Sequence, residues 1–179
     1  MKNLLKRTRC YLVGHMEYGD GSEWRKVVSQ YLSNKFGVIC FDPYEKPFKN
    51  DVKEDKETQE NLKKDRKTDL QKVHKHMKEV VAFDLAMVDR SDFIICYIDP
   101  SIPTYGTVHE IVVANLAKKP IFVCVNSGVE NTPLWLLGLL RPYCFFNSFD
   151  EIFAELENIN QNSKESEQKR WKFLKNSYR

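Results

Sequence analysis

The sequence predicts a single-domain α/β fold in which about five mainly parallel strands form a doubly wound sheet with helices on both faces. Short apolar, β-branched runs alternate along the chain with segments of helical periodicity, which is the pattern of consecutive βαβ units. The run DFIICYID at 92–99 is apolar throughout, as expected of a central parallel strand that is covered on both faces. A chain of 179 residues also fits one domain of ordinary size.

The first strand and helix are predicted between residues 10 and 37. CYLVG at 10–14 is a short apolar run that opens onto a polar loop, and it is typical of a buried strand. Ser22 can cap the following helix, and Gly37 lies where a helix favours its stop. The predicted apolar stripe of this helix contains Trp24, Val27, Val28, Tyr31 and Leu32.

A strand and a charged excursion follow. GVICFDP at 37–43 is β-branched and ends at a proline, so it predicts the second strand. Residues 44–72 are dense in Lys, Glu and Asp and have almost no apolar periodicity, which predicts a solvated surface loop or, alternatively, a lid or partner contact.

Helical spacing returns at 68–88, with Asp84 on the apolar stripe. The stripe contains Leu70, Val73, Met77, Val80, Val81, Asp84, Leu85 and Val88. A carboxylate there points toward the sheet, where an unpaired buried charge costs several kcal/mol. Asp84 therefore either bonds to backbone amides at the sheet edge or belongs to a functional site, and both hypotheses stay open.

The second half of the chain supplies the remaining elements. The third strand leads through the loop PSIPTYGT into a helix that contains VHEIVVANLAKK, and PIFVCVN predicts the fourth strand. TPLWLLGLL predicts a short buried helix or irregular cover, YCFFNSF a fifth strand, and DEIFAELENI a last amphipathic helix.

The domain organisation follows from these elements. Residues 1–160 form the α/β domain, and 161–179 form a charged extension whose Trp171, Phe173 and Leu174 predict a partial helix docked on it. Alternating strands and helices indicate a flavodoxin-like arrangement. Ligands bind such sheets at the carboxyl ends of the strands, which selects the loops after positions 14, 42, 99 and 126.

The segment Gly106-Thr107-Val108-His109-Glu110 has two interpretations. Thr107 and Glu110 have the spacing of a capping box, in which the glutamate only completes a helix N-terminus, and the residues by themselves favour this interpretation. Alternatively, Gly106 lets a ligand approach the backbone, and Glu110 faces the cleft as a nucleophile or base.

Composition excludes several classes of function. The net charge of +3 is too small to indicate a nucleic-acid polymer as a partner. Neither GxGxxG nor GxxxxGK[ST] is present, and the five cysteines have no metal-ligand spacing. We therefore expect no cofactor and no metal, and reduced, buried thiols. The N-terminal apolar run is too short for a signal peptide or membrane span, so we expect a cytoplasmic protein without membrane contact.

Three pieces of sequence together resemble the nucleoside 2-deoxyribosyltransferase family, including its relatives that hydrolyse deoxynucleoside 5′-monophosphates. They are YLVG in the first strand, DLAMVDRSDFIICYID before and within the third strand, and the GTxxEIxxAxxxxKP block. The resemblance covers residues 10–120. It implies an enzyme that cleaves the N-glycosidic bond of a 2′-deoxynucleoside or deoxynucleotide.

The resemblance also implies roles for individual residues. Glu110 matches the family's nucleophile, which attacks C1′ to give a covalent deoxyribosyl-enzyme that a second base or water resolves. Asp84 would lie next to the sugar, and Tyr11 would donate a hydrogen bond near the nucleophile. The substrate-binding set would contain Gly14, Asp99, Thr104, Gly106 and Thr107, with the backbone around Gly106 holding the 5′ end.

One position departs from the transferase pattern. Thr104 stands where transferases of the family often have an acid that protonates the leaving base. A hydroxyl there resembles the monophosphate hydrolases instead, so transfer and hydrolysis both stay open. Asp99 at the end of the third strand is a candidate for the missing acid. A non-catalytic nucleotide-binding module is the third alternative.

The resemblance implies partners as well. The expected ligand is a small-molecule nucleoside or nucleotide. Relatives are homo-oligomers whose sites a neighbouring subunit completes, so we expect a dimer or higher oligomer, with the WLLGLL stretch or the tail ending NSYR contributing.

Overall fold

The computed structural model describes residues 3–16, 22–45, 52, 55–161, 170–171 and 174. Its sheet has five parallel strands in the order β2-β1-β3-β4-β5. The strands are β1 (Arg9–Gly14), β2 (Ile39–Phe41), β3 (Phe93–Ile98), β4 (Ile121–Val125) and β5 (Phe145–Phe146). This order is that of a flavodoxin-like, doubly wound sheet, so the predicted fold class is confirmed.

Six helices accompany the sheet in the described part of the chain. They are α1 (Ser22–Phe36), α2 (Lys56–Asp65), α3 (Leu70–Arg90), α4 (Tyr105–Leu116), α5 (Leu134–Leu139) and α6 (Phe149–Gln161). Side chains of β1 alternate between the faces. Leu12 packs in the core beneath α1 and α6, whereas Tyr11 and Val13 pack in the core beneath α3 and α4.

Helix α1 presents most of the predicted face to the core. Val28 and Leu32 are buried there, and Trp24 and Tyr31 pack against it, whereas Val27 of the predicted stripe is 57% exposed. Arg25 is also buried on this face, and apolar periodicity could not predict the burial of a charged residue. The predicted stop is confirmed, since Gly37 has φ +68° and donates its amide to Ser33 O.

The prediction of a solvated loop at 44–72 was wrong at α2. The helix begins after Asp55, whose side chain accepts a hydrogen bond from the Thr58 amide at 2.8 Å. Leu62 is the one apolar residue of α2 and is half-buried. A helix with a single apolar residue has no apolar periodicity from which it could be predicted. Positions 46–51 and 53–54 of the excursion lie outside the described residues.

Only the C-terminal half of α3 packs on the sheet. Val80, Met87 and Val88 are buried there, but Met77 and Val81 of the predicted stripe are partly exposed. The N-terminal half extends past the sheet, where it lies against α2. The predicted helix is confirmed, whereas the prediction that its whole stripe faces the sheet was wrong.

The last elements agree with the predicted order. TPLWLLGLL contains the short helix α5, as one of its two predictions had it, but the helix is not buried as predicted: Leu136 is its buried residue, and Trp135 is 77% exposed. From the extension, Trp171 is buried against Phe93 and Phe122, with ring centroids 5.2 and 5.9 Å away. Phe173, predicted to dock with it, lies outside the described residues. None of the helices in the described ranges is both long and apolar enough to span a bilayer.

Candidate active site

A cavity of about 470 Å³ opens at the carboxyl ends of the strands. The strand ends and the residues after them contribute Gly14, His15 and Pro43, and the loop before α4 together with the first turn of α4 contributes residues 103–107. Side chains of α2 and α3 form the opposite wall. The cavity therefore lies at three of the four loops that the fold predicts, and the loop after Asn126 does not line it.

Tyr11 and Glu110 meet at the inner end of this cavity. The Tyr11 hydroxyl donates a hydrogen bond of 2.5 Å to Glu110 Oε1, and both residues line the cavity although they are only 1% and 6% exposed. Burial and the nearby charges of Glu110 and Asp84 raise the pKa of Tyr11 well above its ordinary value. Tyr11 therefore keeps its proton and remains a donor to the carboxylate.

Helix α4 begins too early for the predicted capping box. It starts at Tyr105 with Thr104 as its N-cap residue, and no side chain bonds to the cap. Thr107 and Glu110 are therefore the third and sixth residues of the helix rather than its cap and third position. The capping-box interpretation was wrong, because the loop before α4 is shorter than the Thr-x-x-Glu spacing suggested.

The start of α4 is open toward the cavity. Thr104, Gly106 and Thr107 all line it, and a Cβ built on Gly106 would meet no heavy atom within 4 Å. A ligand can therefore approach the backbone here, where the first amides of a helix favour an anionic or hydroxyl oxygen.

Asp84 reaches the same cavity from α3. Its charge is the third cause, after burial and Glu110, of the raised pKa of Tyr11, so it lies close to that hydroxyl. The structure thus brings together the three residues expected to be catalytic. Of the two hypotheses for Asp84, the site position is the one that the cavity geometry favours.

Gly14 ends β1 at a point where a side chain has no room. A Cβ there would lie 2.9 Å from Cζ2 of Trp24 and 3.2 Å from the backbone oxygen of Tyr97. Glycine at this position thus lets Trp24 pack close to the strand end. Gly14 lines the cavity as expected.

Arg25 beneath this strand end was not foreseen from the sequence. Its side chain is fully buried and donates to Leu12 O at 3.2 Å and to Gly14 O at 2.8 Å. Asp42 Oδ1 lies 3.9 Å from Arg25 Nε. Burial lowers the pKa of Arg25 and raises that of Asp42. Arg25 thus fixes the carbonyls of the β1 end that borders the cavity.

His15 is a second lining residue that sequence reasoning missed. It is nine-tenths buried, and its Nδ1 makes no hydrogen bond with the described residues. Burial, followed by the charge of Arg25, lowers the pKa of His15. The imidazole is therefore neutral at pH 7 and presents unused hydrogen-bonding capacity beside the cavity. Its place directly after a predicted strand end was the available signal.

Asp99 does not have the environment of a proton donor. It is absent from the cavity lining and accepts hydrogen bonds from Ser101 and from Asn126 Nδ2. These hydrogen bonds lower the pKa of Asp99, and those from Ser101 have the largest effect. The carboxyl is therefore ionised at neutral pH. Its lowered pKa and its place outside the cavity lining give no support to the expectations that Asp99 supplies the missing acid or contacts substrate, and both stay predictions.

The described residues contain no group of three or more His, Cys, Asp and Glu side chains placed to hold a metal ion. All five cysteines are free thiols, of which Cys40 is the least buried.

Comparison with known proteins gives similarity to solved structures. No protein-family model and no curated protein sequence matches the chain. Among solved structures, the chain is similar to a 2-deoxyribosyltransferase from the psychrotolerant bacterium Bacillus psychrosaccharolyticus, with a TM-score of 0.57 and 17% sequence identity over 83% of this chain and 96% of that one. At this identity the similarity shows the fold: the chain has the doubly wound α/β fold of that 2-deoxyribosyltransferase.

Proposed function

We propose that the protein cleaves the N-glycosidic bond of a 2′-deoxynucleoside or deoxynucleotide with Glu110 as its nucleophile. The observation that carries the proposal is the 2.5 Å hydrogen bond from Tyr11 to Glu110 Oε1 inside the cavity, with Asp84 beside it. A buried carboxylate that is oriented by a protonated phenol suits attack on an electron-poor carbon.

The first step forms a bond between Glu110 and C1′ as the bond from C1′ to the base nitrogen breaks. The electron pair of that bond leaves with the base, which takes up a proton from solvent water. The two negative carboxylates, Glu110 and Asp84, stabilise the positive charge that develops on the anomeric carbon. Asp84 would also bind a sugar hydroxyl, and the open backbone at Gly106 would hold the 5′ end.

The second step releases the sugar from Glu110. If the nitrogen of a second base attacks C1′, the enzyme is a transferase; if water attacks, it is a hydrolase. In either case the carboxylate is regenerated. Tyr11 remains a donor to Glu110 throughout and steadies the carboxylate as it leaves.

Hydrolysis of a deoxynucleoside monophosphate is the second candidate, and Thr104 favours it. Thr104 is the N-cap residue of α4, but its side chain makes no capping hydrogen bond to the helix. The residue lines the cavity. A hydroxyl at this position suits a phosphate oxygen and cannot protonate a leaving base as a carboxylic acid does.

The test is to incubate the protein with purine and pyrimidine 2′-deoxynucleosides and their 5′-monophosphates, with and without an acceptor base, and to resolve the products. A new nucleoside indicates transfer, and free sugar or sugar phosphate indicates hydrolysis. Glu110→Gln should form neither product. Tight binding without turnover by the wild type across all donors would favour the non-catalytic nucleotide-binding module.

We also propose that the chain forms a homo-oligomer. Helix α5 exposes Leu134, Trp135 and Leu137, which are large apolar side chains on one short segment. The NSYR tail lies outside the described residues. Light scattering should report a dimer or higher species, and Trp135→Ser should shift it toward monomer. A monomer with full activity would rule out a site that a neighbouring subunit completes.

A further inference from the structure

The wall of the cavity opposite the strand ends has one feature that the proposed chemistry does not use. Helix α2 and its C-cap residue place four residues along the cavity at the spacing i, i+3, i+4 and i+7. They are Gln59, Leu62, Lys63 and the C-cap residue Arg66. Two of these four residues, Lys63 and Arg66, are cationic, and both are exposed.

The charges of the cavity are separated along its length. Its lining carboxylates are Asp84 on α3 and Glu110 on α4, whereas its lysine and arginine are both on α2. Helix α3 lines the cavity from Val73 to Asp84. At 1.5 Å per residue these positions are about 16 Å apart, so the cavity continues well beyond the carboxylates.

The surface between the two charged ends is apolar. Leu62 of α2 and four side chains of α3 provide it: Val73, Met77, Val80 and Val81. His76, which also lines the cavity, adds a hydrogen-bonding group near the cationic end. Apolar walls strengthen the attraction between Lys63 or Arg66 and an anion at the mouth, because they exclude water from part of its surroundings.

Helix α2 is held in place over the cavity. Gln59 Nε2 donates to Met16 O at 3.2 Å, which joins α2 to the segment after β1. That segment includes His15, which also lines the cavity. A ligand that extends from the carboxylates toward α2 would pass both groups.

We propose that Lys63 and Arg66 bind an acidic substituent on the base of the substrate, at the end of the cavity remote from Glu110. The inference rests on the proposed function in that it assumes a deoxynucleoside-like ligand. That function places the 5′ end at the backbone of Gly106, near Glu110, so the anion bound by Lys63 and Arg66 is on the base rather than at the 5′ end, and the experiment tests both positions.

The experiment measures the affinities of three ligands in the Glu110→Gln background, which stops turnover. The ligands are a 2′-deoxynucleoside, its 5′-monophosphate, and a 2′-deoxynucleoside whose base carries a carboxylate. The ligand whose base carries the carboxylate should bind about tenfold more tightly than the neutral one, and that preference should disappear in Lys63→Met/Arg66→Met. A preference for the 5′-monophosphate that depends on Lys63 and Arg66 would instead contradict the position of the anion on the base.

Lys64→Met is the matched control, because Lys64 lies on the same helix with the same charge but does not line the cavity. It should leave all three affinities within about twofold of the parent. Equal affinities for all three ligands, no detectable binding, or an anion preference that survives the double substitution would overturn the inference.

Wild-type turnover separates this inference from the proposed function. If the wild type cleaves these ligands but the double substitution leaves the kcat/KM ratio of anionic to neutral ligand unchanged, the function stands and the inference fails. If no ligand is cleaved but anion binding depends on Lys63 and Arg66, the inference stands and the function fails.

Discussion

The hydroxyl of Tyr11 on β1 donates a 2.5 Å hydrogen bond to Glu110 Oε1 on α4, so the central region of the sheet and the first helix after β3 are joined at the candidate nucleophile. The two residues are 99 positions apart in the chain. Neither is notable alone, because a tyrosine in a strand and a glutamate in a helix are both ordinary. Their meeting in a buried cavity is what favours a catalytic role.

Tyr11→Phe should lower kcat about 10- to 100-fold with little change in KM. The substitution removes one hydrogen bond to a buried carboxylate and leaves the ring in place. Steady-state kinetics with the donor found in the product assay measures this. Tyr97→Phe is the control, since Tyr97 donates to Asn126 outside the cavity. Unchanged kcat in Tyr11→Phe would remove Tyr11 from the mechanism.

Glu110→Gln should leave the free energy of unfolding unchanged or raise it slightly. The substitution removes one of two negative charges that lie near Tyr11 and keeps the shape of the side chain. Urea denaturation measures the effect. Asp69→Ala is the comparison, because Asp69 caps α3 by accepting from the Lys72 amide and its loss should cost about 1 kcal/mol. A similar loss for Glu110→Gln would indicate a structural role instead.

Arg25→Met should destabilise the fold by about 3–5 kcal/mol. It leaves Asp42 and the carbonyls of the β1 end buried without the guanidinium. Lys26→Met is the matched control one residue further on, where the side chain is more than half exposed, and it should change stability by less than about 0.5 kcal/mol. Equal effects of the two substitutions would show that Arg25 does not hold the strand end.

Stability should fall as the pH rises above about 10, and Tyr11 should account for part of the fall. The unfolded chain loses the Tyr11 proton near its ordinary pKa, whereas the folded protein retains it because its pKa is raised. The contribution is therefore complete below pH 10 and is lost above it, at up to about 1.4 kcal/mol per pH unit.

Chemical denaturation between pH 9 and 11 checks this dependence. Tyr11→Phe should have a shallower decline than the wild type, and Tyr105→Phe, at an exposed position, serves as its control. Identical slopes in the wild type and Tyr11→Phe would mean that the folded protein does not retain the Tyr11 proton above pH 10.

The sheet was predictable because its strands are continuous apolar runs with clear stops. The segment at 92–99, for example, predicted β3 to within a residue at each end. Side chains that depend on tertiary partners were less predictable. Arg25 occupies a buried position only because strand-end carbonyls and Asp42 surround it, and helix α2 has too few apolar residues for its periodicity to be read.

The candidate site divides in the same way. Asp84 drew attention from the sequence because a carboxylate on an apolar stripe is anomalous, and the cavity accounts for it. The sequence around Glu110 fits a capping box, but in the structure α4 begins at Tyr105, so Glu110 is the sixth residue of the helix. His15 and the cationic face of α2 required the fold, since their proximity to the cavity comes from segments that are distant in the chain.

The central claim is that Glu110 becomes covalently attached to the sugar. The most direct measurement is mass spectrometry of peptides from enzyme that is mixed with donor and quenched with acid during turnover. We predict a deoxyribosyl or phosphodeoxyribosyl adduct on the peptide that contains Glu110, and no adduct in Glu110→Gln. Turnover that proceeds at an undiminished rate in Glu110→Gln, or an adduct located on another residue, would contradict the account.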